Sequence, residues 1–189
     1  MRAFVLIWII TIIITIISCR SDKGYTPKPT GYFRLELPDK QYKKYEPECP
    51  FVFEIPEYSV IIKNENEECW LDLYMPTLKA IIYLTYKPLN NNLNKHLEDS
   101  REFVYKHTVI ADAIQEIRFE NDSLNVYGIL YDLKGNTASS VQFLLTDSIN
   151  HFLRGSLYFN VRPNKDSLAP VIGFIREDIV HLIESLEWK

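Results

Sequence analysis

Val126-Tyr127-Gly128-Ile129-Leu130-Tyr131-Asp132-Leu133-Lys134-Gly135-Asn136-Thr137-Ala138-Ser139-Ser140-Val141-Gln142-Phe143-Leu144-Leu145-Thr146 decides the fold. Two runs rich in β-branched and aromatic residues, 126–133 and 139–146, flank Lys134-Gly135-Asn136. Gly and Asn tolerate positive φ, so the centre reads as a hairpin turn. Strands that follow one another through a tight turn pair antiparallel. Downstream, Asp147-Ser148-Ile149-Asn150 is another turn composition and leads into a strand from His151 to Phe159.

The same pattern recurs upstream. Phe51, Phe53 and Ile55 alternate with Val52 and Glu54 and stop at Pro56. Val60-Ile61-Ile62 is short. Leu71, Leu73 and Met75 alternate with Trp70, Asp72 and Tyr74, and Ala80 to Tyr86 reads AIIYLTY. Two segments are helical. Asn91 to about Lys106 places Leu93, Leu97 and Val104 along one side. The second starts near Ser167, a plausible N-cap, with Pro170 in its first turn. There Leu168, Val171, Ile172, Ile175, Ile179, Leu182, Ile183 and Leu186 form a stripe, with Arg176, Glu177 and Glu184 opposite. Such a stripe covers a sheet face; the sharper alternative is a partner-binding helix. The order strands, helix, strands, helix gives an α+β fold: an antiparallel sheet of about 6–8 strands with two main helices packed on it. By analogy the layout is similar to the PsbP/Mog1-type sandwich.

Composition bounds the function. The chain has 189 residues, 47% of them hydrophobic and 24% charged, which is globular and excludes wholesale disorder. Aromatics at 13% suit strands. A net charge of −4, with no long basic run, argues against nucleic acid as partner. The four histidines show no metal-ligand spacing, and no cofactor motif is present. Ser123, Ser139 and Ser140 lie in no nucleophile elbow. Gly128, Gly135 and Gly155 form no phosphate cradle. Nothing argues for catalysis.

The N-terminus reads as an address. Residues 3–17 are AFVLIWIITIIITII, with Arg2 as the only nearby charge. As a helix this run covers about 22 Å, short of the ~30 Å bilayer core but right for a secretory signal. Ile16-Ile17-Ser18-Cys19 resembles a bacterial lipobox. Residues 1–18 are therefore expected to be a signal peptide and Cys19 the lipid-attachment residue; the alternative is an uncleaved anchor with a chance cysteine. More than one acyl chain gives a stable membrane attachment without spanning. Arg20, where inner-membrane retention uses Asp, favours the outer membrane, whereas Arg20-Ser21-Asp22-Lys23 leaves the membrane face open. Residues 19–31, with Pro27 and Pro29, form the tether. The expected globular domain is 32–189.

Cys49 and Cys69 remain. In an oxidising compartment they could pair, closing about 21 residues and stabilising by roughly 3 kcal/mol; the alternative is two buried thiols. Glu65, Glu67 and Glu68 lack the spacing of a calcium loop. Two polar turns are candidate partner surfaces. One carries Tyr86, Lys87, Asn90 and Asn91; the other carries Arg162 and Asn164. Ordinary turn chemistry explains both as well.

The chain as a whole resembles the gliding-motility lipoprotein GldD family of Bacteroidetes. The resemblance runs from Cys19 through Tyr25-Thr26-Pro27-Lys28-Pro29 and Gly31-Tyr32-Phe33-Arg34 to Cys49-Pro50-Phe51, Cys69-Trp70-Leu71 and Tyr86-Lys87-Pro88. It continues through Leu97-Glu98-Asp99-Ser100-Arg101, Tyr105-Lys106-His107-Thr108 and Tyr127-Gly128-Ile129-Leu130-Tyr131-Asp132. It closes with the segment from Tyr158 to Ser167 and with Glu187-Trp188-Lys189. It implies an envelope lipoprotein required for gliding and the linked type IX secretion machinery, with protein subunits of that apparatus as partners. It brings no catalytic residue to this chain. A competing reading is an envelope lipoprotein that holds a lipid or other small ligand in an α+β pocket; a hydrolase with a fold-assembled site is a third.

Overall fold

The computed structural model describes residues 36–64, 67, 69–106 and 110–189. The expected signal peptide and tether, Cys19 included, lie outside the described residues, as do Glu65, Asn66, Glu68 and 107–109. The described residues belong to one unit, Leu35–Lys189.

The hairpin expected around Lys134-Gly135-Asn136 is β7 (Val126–Gly135) and β8 (Ser139–Thr146), paired antiparallel from Tyr127↔Thr146 to Asp132↔Val141. Gly135 takes φ +116°, and a Cβ there would press on backbone atoms of Ile110 and Asp112 at 2.9 Å. Around this hairpin lie β3 (Val60–Lys63), β4 (Trp70–Met75), β5 (Ala80–Pro88), β6 (Ala111–Asn121) and β9 (His151–Phe159). They form a seven-stranded antiparallel sheet in the order β3-β4-β5-β9-β8-β7-β6. A small sheet sets β2 (Phe51–Pro56) between β1 (Tyr42–Tyr45) and β10 (Glu187–Trp188).

Among the described residues two α-helices appear: α1 (Leu93–Tyr105) and α2 (Lys165–Glu184). They take opposite faces of the large sheet. The main core holds Phe51 and Phe53 of the small sheet, Ile82, Phe143 and Leu157 of the large one, and Ile175 and Ile179 of α2. A second cluster, Val104 with Leu89, Tyr131, Leu133, Leu144 and Phe152, lies under α1. With both faces covered, every residue of β8 is buried. Gly155 of β9 has a local reason. A Cβ there would fall 2.1 Å from the Phe143 ring, so its absence lets the ring lie across the ladder.

The α1 face is only partly covered. Beyond the helix, Val60↔Tyr74, Tyr74↔Ile81 and Ile81↔Tyr158 form one cross-strand row. Val60, Ile62 and Tyr83 are exposed there.

The structure corrects the expected α2 boundaries. Asn164, not Ser167, is the N-cap: its Oδ1 accepts from the backbone N–H of Asp166 and of Ser167, each at 3.2 Å. Pro170 consequently lies inside the helix, beyond the first turn, where it removes one intrahelical donor. Leu186 is buried but lies past the helix end, at the entry to β10. Arg176, expected on the solvated face, donates through Nε to both Asp132 oxygens at 2.8 and 2.9 Å. Strands β1, β6 and β10 were not expected from the sequence.

Candidate functional site

The candidate residues divide between the two ends of one ladder. β5 pairs with β9 from Ala80↔Phe159 to Pro88↔His151. Tyr86 and Lys87, with Asn90 and Asn91 just beyond, sit at the Pro88 end, whereas Arg162 and Asn164 follow Phe159 at the other. At ~3.3 Å per residue the ends are about 26 Å apart, so the sequence-derived stretches do not make one surface.

The Pro88 end is built around aromatic rings. Cys49 and Cys69 face each other there as a disulfide, with Cα atoms 5.6 Å apart, tying the entry of β2 to the entry of β4. The next residue, Trp70, donates its indole N–H to the Tyr86 carbonyl at 3.2 Å. The Lys87 ammonium lies 5.2 Å from the Trp70 ring centroid, a cation–π contact. Tyr86 Oη and His151 Nδ1 are 2.9 Å apart, and the His151 ring stacks on Trp188 at 5.1 Å. Burial, helped by the nearby Asp147 carboxylate, pushes the Tyr86 hydroxyl above its ordinary pKa. Burial alone would raise Asp147 too. Backbone N–H groups of His151, Ile149 and Asn150 outweigh it, holding that carboxyl below its usual range. A concavity of about 530 Å³ opens here between Glu48, Trp70, Lys87 and His96.

Turn chemistry accounts for three of the six expected surface residues. Asn91 occupies the left-handed region at φ 57°. The backbone N–H of Asn90 donates to Asn92 Oδ1 at 2.8 Å. Asn164 caps α2. Arg162 is exposed.

Sequence reasoning missed two polar centres. Asp178, 1% exposed, accepts from the Tyr42 hydroxyl at 2.8 Å, from the Lys40 ammonium at 3.1 Å and from the Tyr58 hydroxyl. Lys40 also reaches the Phe174 carbonyl at 2.8 Å and Glu177 at 2.9 Å. This cluster fastens the segment leading into β1 onto α2. Its signal was legible, because Asp178 stands three residues after Ile175 and beside Ile179, on the apolar stripe. The second centre is Arg154 in β9, whose guanidinium donates to Gln142 Oε1 at 2.7 Å. Nothing in the alternation of β9 marked it.

Among the described residues no group of three or more His, Cys, Asp or Glu side chains converges as metal ligands. No described helix is long and apolar enough to cross a membrane. A comparison with curated proteins finds no match. A comparison with protein families matches residues 22–188 to the family described as gliding motility lipoprotein GldD. That match takes in the disulfide, both candidate turns, the Asp178 cluster and all ten strands, so the chain belongs to the gliding motility lipoprotein GldD family.

Proposed function

We propose that this chain is a lipid-anchored, non-enzymatic component or assembly factor of the gliding apparatus and of the type IX secretion machinery linked to it. It acts through contacts with protein subunits of that apparatus. The observation that carries the reading is the family match over residues 22–188. The lipobox-like Ile16-Ile17-Ser18-Cys19 supports attachment through Cys19 to a membrane of the cell envelope, and Arg20 favours the outer membrane. In this reading Cys49–Cys69 is a structural bridge. Lys87 and Arg162 are exposed cations available to partners at the two ends of the sheet.

The test is a pulldown of the tagged, lipidated chain with detergent-solubilised envelope. Recovery of gliding or secretion subunits is the expected result, with loss of gliding when Cys19→Ser replaces the wild type. Normal lipid labelling of Cys19→Ser, or a pulldown without such subunits, overturns the corresponding half of the proposal. The second reading, a small-ligand lipoprotein, is favoured by one observation: a cleft beneath α1.

A further inference from the structure

The cleft lies between α1 and strands β4, β5 and β9, and its volume is about 340 Å³. Trp70, Phe103 and Phe152 give it apolar walls, and Lys87 and Arg154 bring two cations to it. We infer that this cleft binds a small organic anion: an acidic head group on a flat apolar body.

Three observations carry the inference. The first is an unbalanced charge. Among the described residues neither Arg154 nor Lys87 has a carboxylate within ion-pair distance, although Asp99 also lines the cleft. Arg176, the part-buried arginine on the other face of the sheet, is matched by Asp132. Arg154 lies 4.8 Å from the Phe103 ring, and burial lowers its pKa. Arg154 is half-buried and Lys87 exposed, so the cost of a cation held from water without a counter-charge falls on Arg154, and a bound anion would supply that charge.

The second observation is a set of unused polar atoms. Gln142 is 1% exposed, and its Oε1 faces Arg154. Its Nε2 is then left without an acceptor, and the hydroxyl of its cross-strand neighbour Ser156 also has no partner. Ser100 adds a hydroxyl-bearing side chain to the cleft lining from α1. Buried polar atoms are normally satisfied. Here they gather at and beneath one cation.

The third is shape. Three aromatic walls favour a flat apolar body over a hydrated inorganic ion, and the volume suits one or two rings. His96 contributes a wall, because its ring stacks on Phe152 at 5.3 Å while Nε2 contacts Asn92 at 3.1 Å. The head group would sit between Arg154 and Lys87, with the body against Trp70 and Phe103. This inference makes the small-ligand reading specific, and its failure leaves the family and the partner reading untouched.

The experiment titrates the full chain, reconstituted in lipid nanodiscs, with 2-naphthoate and with its neutral counterpart 2-naphthalenemethanol. Tryptophan emission and calorimetric heat are the readouts, and empty nanodiscs correct for partitioning. Saturable one-to-one binding of naphthoate is expected, with the alcohol ~10-fold weaker or worse. Arg154→Gln should weaken naphthoate by a similar factor, and Lys87→Gln by a few-fold, without lowering the melting temperature. Should Arg154→Gln fail to fold, Lys87→Gln decides alone. No saturable naphthoate binding, equal affinity for the alcohol, or unchanged affinity in the folded variants overturns the inference. Inorganic phosphate binding as tightly as naphthoate overturns the requirement for an apolar body.

Discussion

Replacing Asp178 with Ala tests whether one buried carboxylate holds the entry of the chain onto α2. The carboxylate accepts from Lys40, Tyr42 and Tyr58. Lys40 keeps Glu177 and the Phe174 carbonyl after the substitution, so the damage concentrates on the two tyrosine hydroxyls. Both hydroxyls are part-buried, and each orphaned donor costs about 1–3 kcal/mol. We take about 3–5 kcal/mol for the two together in Asp178→Ala. For a domain of this size that is about 6–20 °C in melting temperature. Adding Tyr42→Phe and Tyr58→Phe to Asp178→Ala removes the orphaned donors and should recover a good part of the loss. Urea denaturation followed by circular dichroism measures the wild type, Asp178→Ala and the triple variant. A loss below about 1 kcal/mol, or no recovery in the triple variant, refutes the reasoning. The cluster also predicts a pH effect. Burial, then the Asp178 hydrogen bond, raise Tyr42 and Tyr58 far above their ordinary value near 10. A raised pKa contributes stability that is complete below the unfolded value and is lost as pH climbs through the folded one. The urea midpoint should therefore fall as pH rises above about 10, and fall less in Tyr42→Phe/Tyr58→Phe.

Three further outcomes are expected. Ile179→Ala empties a fully buried position on α2 and should cost about 2–5 kcal/mol in urea denaturation; unchanged melting with gliding abolished would make the stripe a partner surface instead. Asn164→Ala removes the α2 cap and should cost about 1 kcal/mol, whereas Ser167→Ala should cost little; equal costs would reinstate Ser167 as the cap. Alkylation of the purified chain in denaturant without reductant should label neither Cys49 nor Cys69, and reductant should lower stability by roughly 3 kcal/mol. Two free thiols in protein made in an oxidising compartment would remove the bridge.

How much was legible in the sequence depended on whether one face or two carried the signal. β4 alternates cleanly because Leu71, Leu73 and Met75 enter the core while Trp70, Asp72 and Tyr74 face the other way. β6 does not. Ile114 packs under α1 opposite Leu133, whereas Ile117 and Phe119 pack against the main core on the opposite face. Its apolar residues therefore break the period of two, and intervening charges make the segment look like a solvated connection. β1 has two lysines in four residues, and β10 is two residues long; both exist because β2 offers them an edge. The α2 stripe was plain from its spacing, but its start was not. A Ser followed by a Pro three residues later imitates a helix entrance, while the cap was set by Asn164, which also follows a proline. At the candidate sites, turn residues were recognisable as turns. The unpaired state of Arg154 depends on which carboxylates the fold brings near β9, and no local pattern encodes that.

The order β1-β2-β10 has a consequence for the time at which the molecule can become itself. β2 is flanked by one strand made shortly before it and another made near residue 188, and Glu54 meets Ser185 across 131 positions. While the chain emerges, Phe51, Val52, Phe53 and Ile55 have neither α2 nor β10 to cover them. Such long loops slow closure and leave an adhesive strand waiting. A holding chaperone would find its handle there, and ribosomes stalled before residue 165 would release an aggregation-prone product. In any exported chain the same delay would be useful, because a chain whose core closes only with its last segment stays threadable through a narrow pore until that segment has passed.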